Sequence, residues 1–180
     1  MSPCFIINAR NERVVLIVQV LKDELRHKIL LESEHLFLQR GYDRTSLQMI
    51  ADKVNISKSN LYHYFKNKEE LFYELTDSAA DGLKRMILRF RSMRFDLNMD
   101  AQEFRILLTE EVLSLLLAEK YGLLLIMEQA NGTRYENLRP VMIELIASKI
   151  VPMLADEENS PMMAQIMARN LVDGTVHILK

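Results

Sequence analysis

Between Lys53 and Lys68 the chain carries the four lysines Lys53, Lys58, Lys66 and Lys68 and no Asp or Glu. Asn60, Tyr62, His63 and Tyr64 are interleaved with them, and their amide, hydroxyl and imidazole groups are suited to phosphate oxygens and base edges. The setting makes the island distinct: the whole chain has a formal net charge of -2, and residues 76–180 hold 12 Lys and Arg against 15 Asp and Glu. A basic island on a nearly neutral protein is the footprint of a small phosphate-contacting surface. A solvated helix with inward-packed aromatics accounts for any one of these residues alone. Nucleic acid is favoured once the elements that hold them are added.

Ile50, Ala51, Val54, Ile56 and Leu61 have the spacing of two short crossing helices. Ala51 lets the second helix approach closely, and the branched residues fill the wedge between the two. Asn55 stands where the tight turn needs positive φ, which Gly and then Asn adopt most readily. Ser57 is a good N-cap for the second helix. The expected helices cover about 46–54 and 57–65, with a fourth beginning near Lys68. Before them, Leu25, Ile29, Leu36 and Phe37 recur at helical spacing from Asp23 and predict a helix that stops near Gly41.

Residues Ile29 to Leu71 resemble the N-terminal DNA-binding domain of the TetR family of bacterial transcriptional regulators. The likeness is carried by Phe37, Gly41, Tyr42, Thr45, Ile50, Ala51, Ser57, Leu61 to Phe65 and Lys68 to Leu71. Asn55 stands where the family usually has Gly, Ser59 where Gly or Pro is frequent, and Ser33 where Ala is usual. The resemblance implies an all-α dimeric repressor that binds double-stranded, palindromic operator DNA and is released by a small, largely apolar effector held in its second domain between Ala101 and Leu154. It implies that Lys58, Ser59 and Tyr62 face bases with Gln48 near the groove, and that Thr45, Asn60, His63, Tyr64 and Lys68 hold phosphates. The N-terminus of the helix begun by Lys68 would itself favour an anion, and that helix would link head to ligand domain.

The remainder fits such a protein. With 180 residues, 49% of them hydrophobic and 27% charged, and with only 5 Gly and 4 Pro, the chain is expected to be globular and mainly helical. Apolar periodicity predicts helices over 71–91, 101–118, 123–130, 135–154 and 162–179, with breaks at 96–100, Gly122, Gly132 and 156–161. The single Cys excludes an intrachain disulfide and suits a cytoplasmic location. The apolar run Val14 to Leu21 is too short and too closely followed by charges for a membrane span or signal. Its β-branched content suits a short strand or an extension of the first helix, and the run is expected to lie in a poorly ordered arm or start-site extension without a function. The expected divisions are an arm over 1–22, a helix-turn-helix domain over 23–70 and a helical ligand-binding and dimerisation domain over 71–180.

Enzyme readings find little support. Glu24 with His27 and Glu32 with His35 have the spacing of di-iron bundles, but both pairs fall on one expected helix, about 12 Å apart at 1.5 Å per residue. Surface polar pairs are the simpler account. Cys4 and His177 stand alone, and Glu110 and Glu111 point to different helix faces. No catalytic residue, cofactor or metal site is expected, nor any phosphate loop or nucleophile elbow. Nine of the 11 Met lie from Met86 onward, where they suit an adaptable apolar pocket or an ordinary core. Arg105, Glu128 and Arg134 are candidates to orient a ligand that the sequence does not identify.

In the last helix Met163, Met167, Leu171, Gly174 and Ile178 form one stripe, and Gly174 would admit a close neighbour. Burial in the chain's own core explains the stripe equally well. The resemblance favours dimerisation, since the family pairs through its last two helices, usually with one helix beyond the position of Lys180; residues Tyr135 to Leu154 could supply part of the interface. The rival function is a helical protein-interaction module that uses the same head for a partner other than DNA.

Overall fold

Gly41 ends the first helix in the left-handed conformation, with φ +85, and its N–H closes the last turn on the Phe37 carbonyl oxygen at 2.9 Å. The computed structural model describes the backbone of residues 9–92, 112–154 and 158–180, and the side chains from 19 onward within those ranges. Helix α1 (Ala9–Arg40) is already formed at Ala9, so residues 9–22 continue it and are not the separate loose arm expected of 1–22. No Gly or Pro interrupts the stretch from Ala9 to Arg40, and nothing local stops the helix.

After α1 come α2 (Leu47–Val54), α3 (Lys58–Tyr62), α4 (Lys68–Ser92), helical backbone over 112–118 (α5), α6 (Lys120–Glu128), α7 (Leu138–Ile150) and α8 (Ser160–Leu179), with a 3₁₀ turn at Val151–Met153 between the last two. Among the described residues there is no strand, and the fold is all-α. The expected break at 96–100 and the expected helix over 101–111 lie outside the described residues.

Ile29, Phe37, Ile50, Leu61, Phe65, Leu71 and Phe72 are completely or almost completely buried and form the core of the N-terminal part. Phe37 of α1 meets Phe72 of α4 edge-on at 5.3 Å between ring centroids. Ser33, in place of the usual Ala, is buried at no polar cost, because its hydroxyl donates to the Ile29 carbonyl at 2.6 Å. The division expected at 70/71 falls inside α4, whose early turns pack into the head through Leu71 and Phe72.

Gly122 was expected to break a helix. Instead α6 runs through it, buried against α4: a Cβ there would lie 2.8 Å from Ala79 Cβ and 3.0 Å from the Leu75 carbonyl oxygen. The residue serves close helix approach, a use that its sequence neighbours do not announce. α8 packs on α7, burying Ala164, Ala168, Val172 and Val176 at successive steps of four.

Candidate nucleic-acid interface

The geometry of α2 and α3 follows from side chains that satisfy helix ends. Ser46 caps α2 by accepting from the Met49 N–H at 3.3 Å, while Ile50, Ala51 and Val54 turn inward. Asn55 takes φ 63 and ψ 48, the left-handed turn expected of it. Ile56 N–H then reaches back to the Ala51 carbonyl at 3.0 Å. Ser57 caps α3 by accepting from the Asn60 N–H at 3.1 Å. Lys28 of α1 donates to the Val54 carbonyl at 3.3 Å, which places a cation at the negative end of α2.

With Leu61 and Phe65 anchored in the core, α3 presents Lys58, Ser59, Tyr62 and His63 to solvent, and Lys53 and Lys66 flank them, also exposed. Lys58 Nζ lies 5.9 Å from the centroid of the Tyr62 ring, so the two residues form one contact unit. Gln48 is exposed on α2 and donates to Asp52 at 2.7 Å. Asn60 and Tyr64 are half-buried, Tyr64 packing against the core with part of its ring left at the surface.

Two expected phosphate ligands have structural duties. Thr45 is 2% exposed, and its hydroxyl is directed at the carbonyl oxygens of Gly41 at 2.8 Å and Leu36 at 3.3 Å. It tightens the α1–α2 turn and cannot offer that hydroxyl to DNA. Lys68 donates to the Tyr42 carbonyl at 2.7 Å and lies 4.0 Å from the Tyr42 ring centroid. Burial, foremost, lowers its pKa from the ordinary lysine value, against the pull of Asp43 and Glu69; burial likewise pushes the Tyr42 phenol up to about 12.

The start of α4 is also unlike the anion site expected there. Asn67 accepts from the Glu70 N–H at 2.7 Å, Glu70 accepts from the Lys66 N–H at 2.7 Å, and the first turn already carries Glu69 and Glu70. This capping arrangement locks the link between α3 and α4. Its signal, an Asn followed three residues later by Glu, is present in the sequence but was not part of the expected site.

Residues 29–75 match the family model described as bacterial regulatory proteins, tetR family. This head is similar to the DNA-binding heads of that family. The biofilm operon icaADBC negative transcriptional regulator IcaR of Staphylococcus epidermidis is 34% identical over 65 residues, 36% of this chain and 35% of that protein. The transcriptional activator FasR of Mycolicibacterium smegmatis is 34% identical over 62 residues, 34% of this chain and 28% of its own. The match thus spans about a third of the length of these curated relatives. Among solved structures, NalD, the secondary repressor of the MexAB-OprM multidrug efflux pump in Pseudomonas aeruginosa, aligns with TM-score 0.48 and 23% identity over 86% of this chain and 84% of its own. The tetR family consists of regulatory proteins, not enzymes.

Behind this head, α4 to α8 surround a cavity of about 610 Å³. Its deep wall includes Leu83, Leu123, Met127 and Val176. Of the suggested ligand-orienting residues, Glu128 pairs with Lys180 at 2.7 Å and neither it nor Arg134 lines the cavity; Arg105 lies outside the described residues. Arg134 stacks on the Tyr73 and Tyr135 rings at 3.9 and 4.8 Å from their centroids and pairs with Asp77, pinning the α6–α7 loop to α4. Glu24, His27 and His35 are exposed on α1, and Glu32 is half-buried.

The stripe on α8 is turned away from the chain's own core. Met163, Met167, Leu171 and Ile178 are 44%, 48%, 59% and 83% exposed, and among the described residues nothing lies within 4 Å of a Cβ built on Gly174. Leu171 additionally reaches the cavity wall.

Proposed function

We propose that this chain is a ligand-responsive DNA-binding transcriptional repressor that acts as a homodimer on a palindromic operator. The observation that carries the proposal is the acid-free basic surface built around α3, a five-residue helix whose N-terminus is fixed by Ser57 and whose inner face is fixed by Leu61: Lys58 opens it, and exposed Lys53 and Lys66 flank it. Lys58, Ser59 and Tyr62 are the candidates for base contact. Gln48, Asn60, His63 and Tyr64 are the candidates for flanking contacts, with Lys68 contributing chiefly by holding the turn. Such a role goes with a cytoplasmic location, and no described helix is long and apolar enough to cross a membrane.

Dimerisation through the exposed α8 stripe would set two such heads on half-sites about 34 to 36 Å apart. The apolar cavity is the proposed effector site. α6 is the proposed route of communication: Leu123 and Met127 line the cavity, and just past the helix end Gln129 accepts from the Tyr42 N–H of the head at 3.4 Å. An effector that binds the DNA-free arrangement more tightly must, by linkage, bind more weakly when operator is present.

The test is binding of the purified protein to duplex DNA from its own promoter region across a salt series. A DNA binder that neutralises several phosphates loses affinity steeply and log-linearly with salt. Binding that is indifferent to salt, or absent on DNA and present on another protein, would point to the interaction-module reading. An effector titration unchanged by saturating operator would remove the allosteric part alone.

A further inference from the structure

α8 stands between the cavity and the exposed apolar stripe, and one side chain belongs to both. Val172, Val176 and Leu179 reach the cavity wall from the inner side of the helix and are at most 7% exposed. Met163, Met167 and Ile178 lie on its outer side, away from that wall. Leu171 lines the cavity although it is 59% exposed, so part of its surface faces the cavity while the rest continues the stripe. Thr175, one turn further on, also reaches the wall and is half-buried. Its hydroxyl donates to the Leu171 carbonyl oxygen at 2.9 Å, so its polar group is satisfied within the helix.

A shared side chain couples the two surfaces. Staggered rotamers allow a half-exposed leucine to turn toward the cavity or away from it. A cavity wall with no ligand against it forgoes dispersion contacts, and an inward Leu171 recovers some of them at the expense of the stripe. A ligand in the cavity occupies that inward space and holds Leu171 on the outer face, where it adds apolar area to the contact with a second copy of α8. We infer that an apolar ligand in the cavity strengthens dimerisation through α8, with Leu171 as the coupling residue. By reciprocity the dimer binds that ligand more tightly than the monomer does. An effector of this kind does not release operator DNA by splitting the dimer; release has to come from the heads, along the α6 contact to Tyr42. The inference rests on the cavity being the effector site and on the α8 stripe being the dimer face, and it adds the sign of the linkage between them.

The experiment uses the full chain with decanol, a neutral apolar probe, in the parent protein, Met167→Glu, Leu171→Ala and Ile178→Ala. Calorimetric titration gives the decanol affinity, and sedimentation over a dilution series gives the dimer dissociation constant with and without saturating decanol. Decanol is expected to bind the parent dimer about fivefold more tightly than the Met167→Glu monomer, the low end of ordinary coupling between sites. With two sites per dimer, saturating decanol should then lower the dimer dissociation constant by about 25-fold. Leu171→Ala should bring both ratios close to one, whereas Ile178→Ala, outside the cavity wall, should weaken the dimer and keep the ratios. Ratios near one in the parent, or a dimer that decanol loosens, overturn the linkage, and ratios that survive in Leu171→Ala overturn the role of that residue. A parent that stays monomeric with and without decanol removes the dimer face, and decanol that binds no variant removes the cavity as its site. The inference falls with either, and the two failures are told apart because assembly and decanol binding are read separately.

Discussion

The ammonium of Lys68 caps the face of the Tyr42 ring at 4.0 Å and, in the same pose, donates to that residue's carbonyl oxygen at 2.7 Å. The residue that opens α4 therefore clamps the turn between α1 and α2, the turn that Thr45 braces from inside. Lys68→Met should cost about 1 to 2 kcal/mol of stability and weaken DNA binding through a loosened head. Thr45→Val should cost about 1 to 3 kcal/mol, the penalty for carbonyls left without a buried partner, with an unchanged salt slope. Exposed Lys66 offers the contrast: Lys66→Ala should leave stability alone and flatten the salt slope by about one unit if it neutralises a phosphate. Thermal melts paired with salt-dependent binding separate these effects, and a Lys68→Met protein that melts like the parent would contradict the clamp.

Lys58 and Tyr62 project together from α3 and bury little of the fold, so their removal should be felt at DNA and not in stability. Lys58→Ala or Tyr62→Ala is expected to cost roughly 1 to 3 kcal/mol of operator affinity and to relax sequence preference. Competition between the operator and singly substituted sites measures this. A loss shared equally by all sequences would assign these side chains to the backbone instead of to bases.

Alkaline stability should depend on two buried phenols. Burial, with the Asp77 hydrogen bond next for Tyr135, raises Tyr42 and Tyr135 to about 12, against roughly 10 in an unfolded chain. The unfolded state therefore releases these protons first, and the stability they lend is complete below about pH 10 and lost as pH rises toward 12. Lys68 works in the opposite sense, since its lowered pKa makes the charged form a cost that is relieved as pH rises. Tyr135 is thus the cleaner probe. Tyr135→Phe should lose about 1 kcal/mol at neutral pH with its 2.6 Å bond to Asp77, and its denaturation midpoint should fall less steeply between pH 10 and 12 than the parent's.

What the sequence discloses and what it conceals follow from the range of the forces involved. Ser46, Asn55 and Ser57 act on atoms within a few residues of themselves, so cap and turn chemistry identifies them without tertiary knowledge. The directions of Thr45 and Lys68 are set by carbonyls of the α1–α2 turn and by the packing of Tyr42 against Phe72, and resemblance alone assigned them to phosphate. Gly122 reads as a breaker because only the approach of Ala79 reveals its use. Arg134 reads as a ligand contact because only the fold brings Tyr73 and Asp77 to it. The continuation of α1 to Ala9 is legible in the absence of Gly and Pro, but the β-branched run Val14 to Leu21 suits a short strand as well as an extension of the first helix.

The α8 stripe yields the sharpest test of assembly. The helix already spends Ala164, Ala168, Val172 and Val176 on its own core, leaving Met163, Met167 and Ile178 at the surface with no described residue near Gly174. A contiguous exposed apolar strip of this kind is a common mark of a protein–protein contact, and Gly174 would let a symmetry-related helix come close. Met167 is the residue to change, because Leu171 also lines the cavity and would confound assembly with ligand binding. Met167→Glu should turn a dimer into a monomer in sedimentation at tens of micromolar while the helical circular dichroism stays constant, and Gly174→Glu should do the same. Because one short recognition helix buries too little surface for high specificity, the monomer should lose operator affinity more steeply than non-specific affinity. A Met167→Glu protein that remains fully dimeric would exclude this face of α8 as the interface.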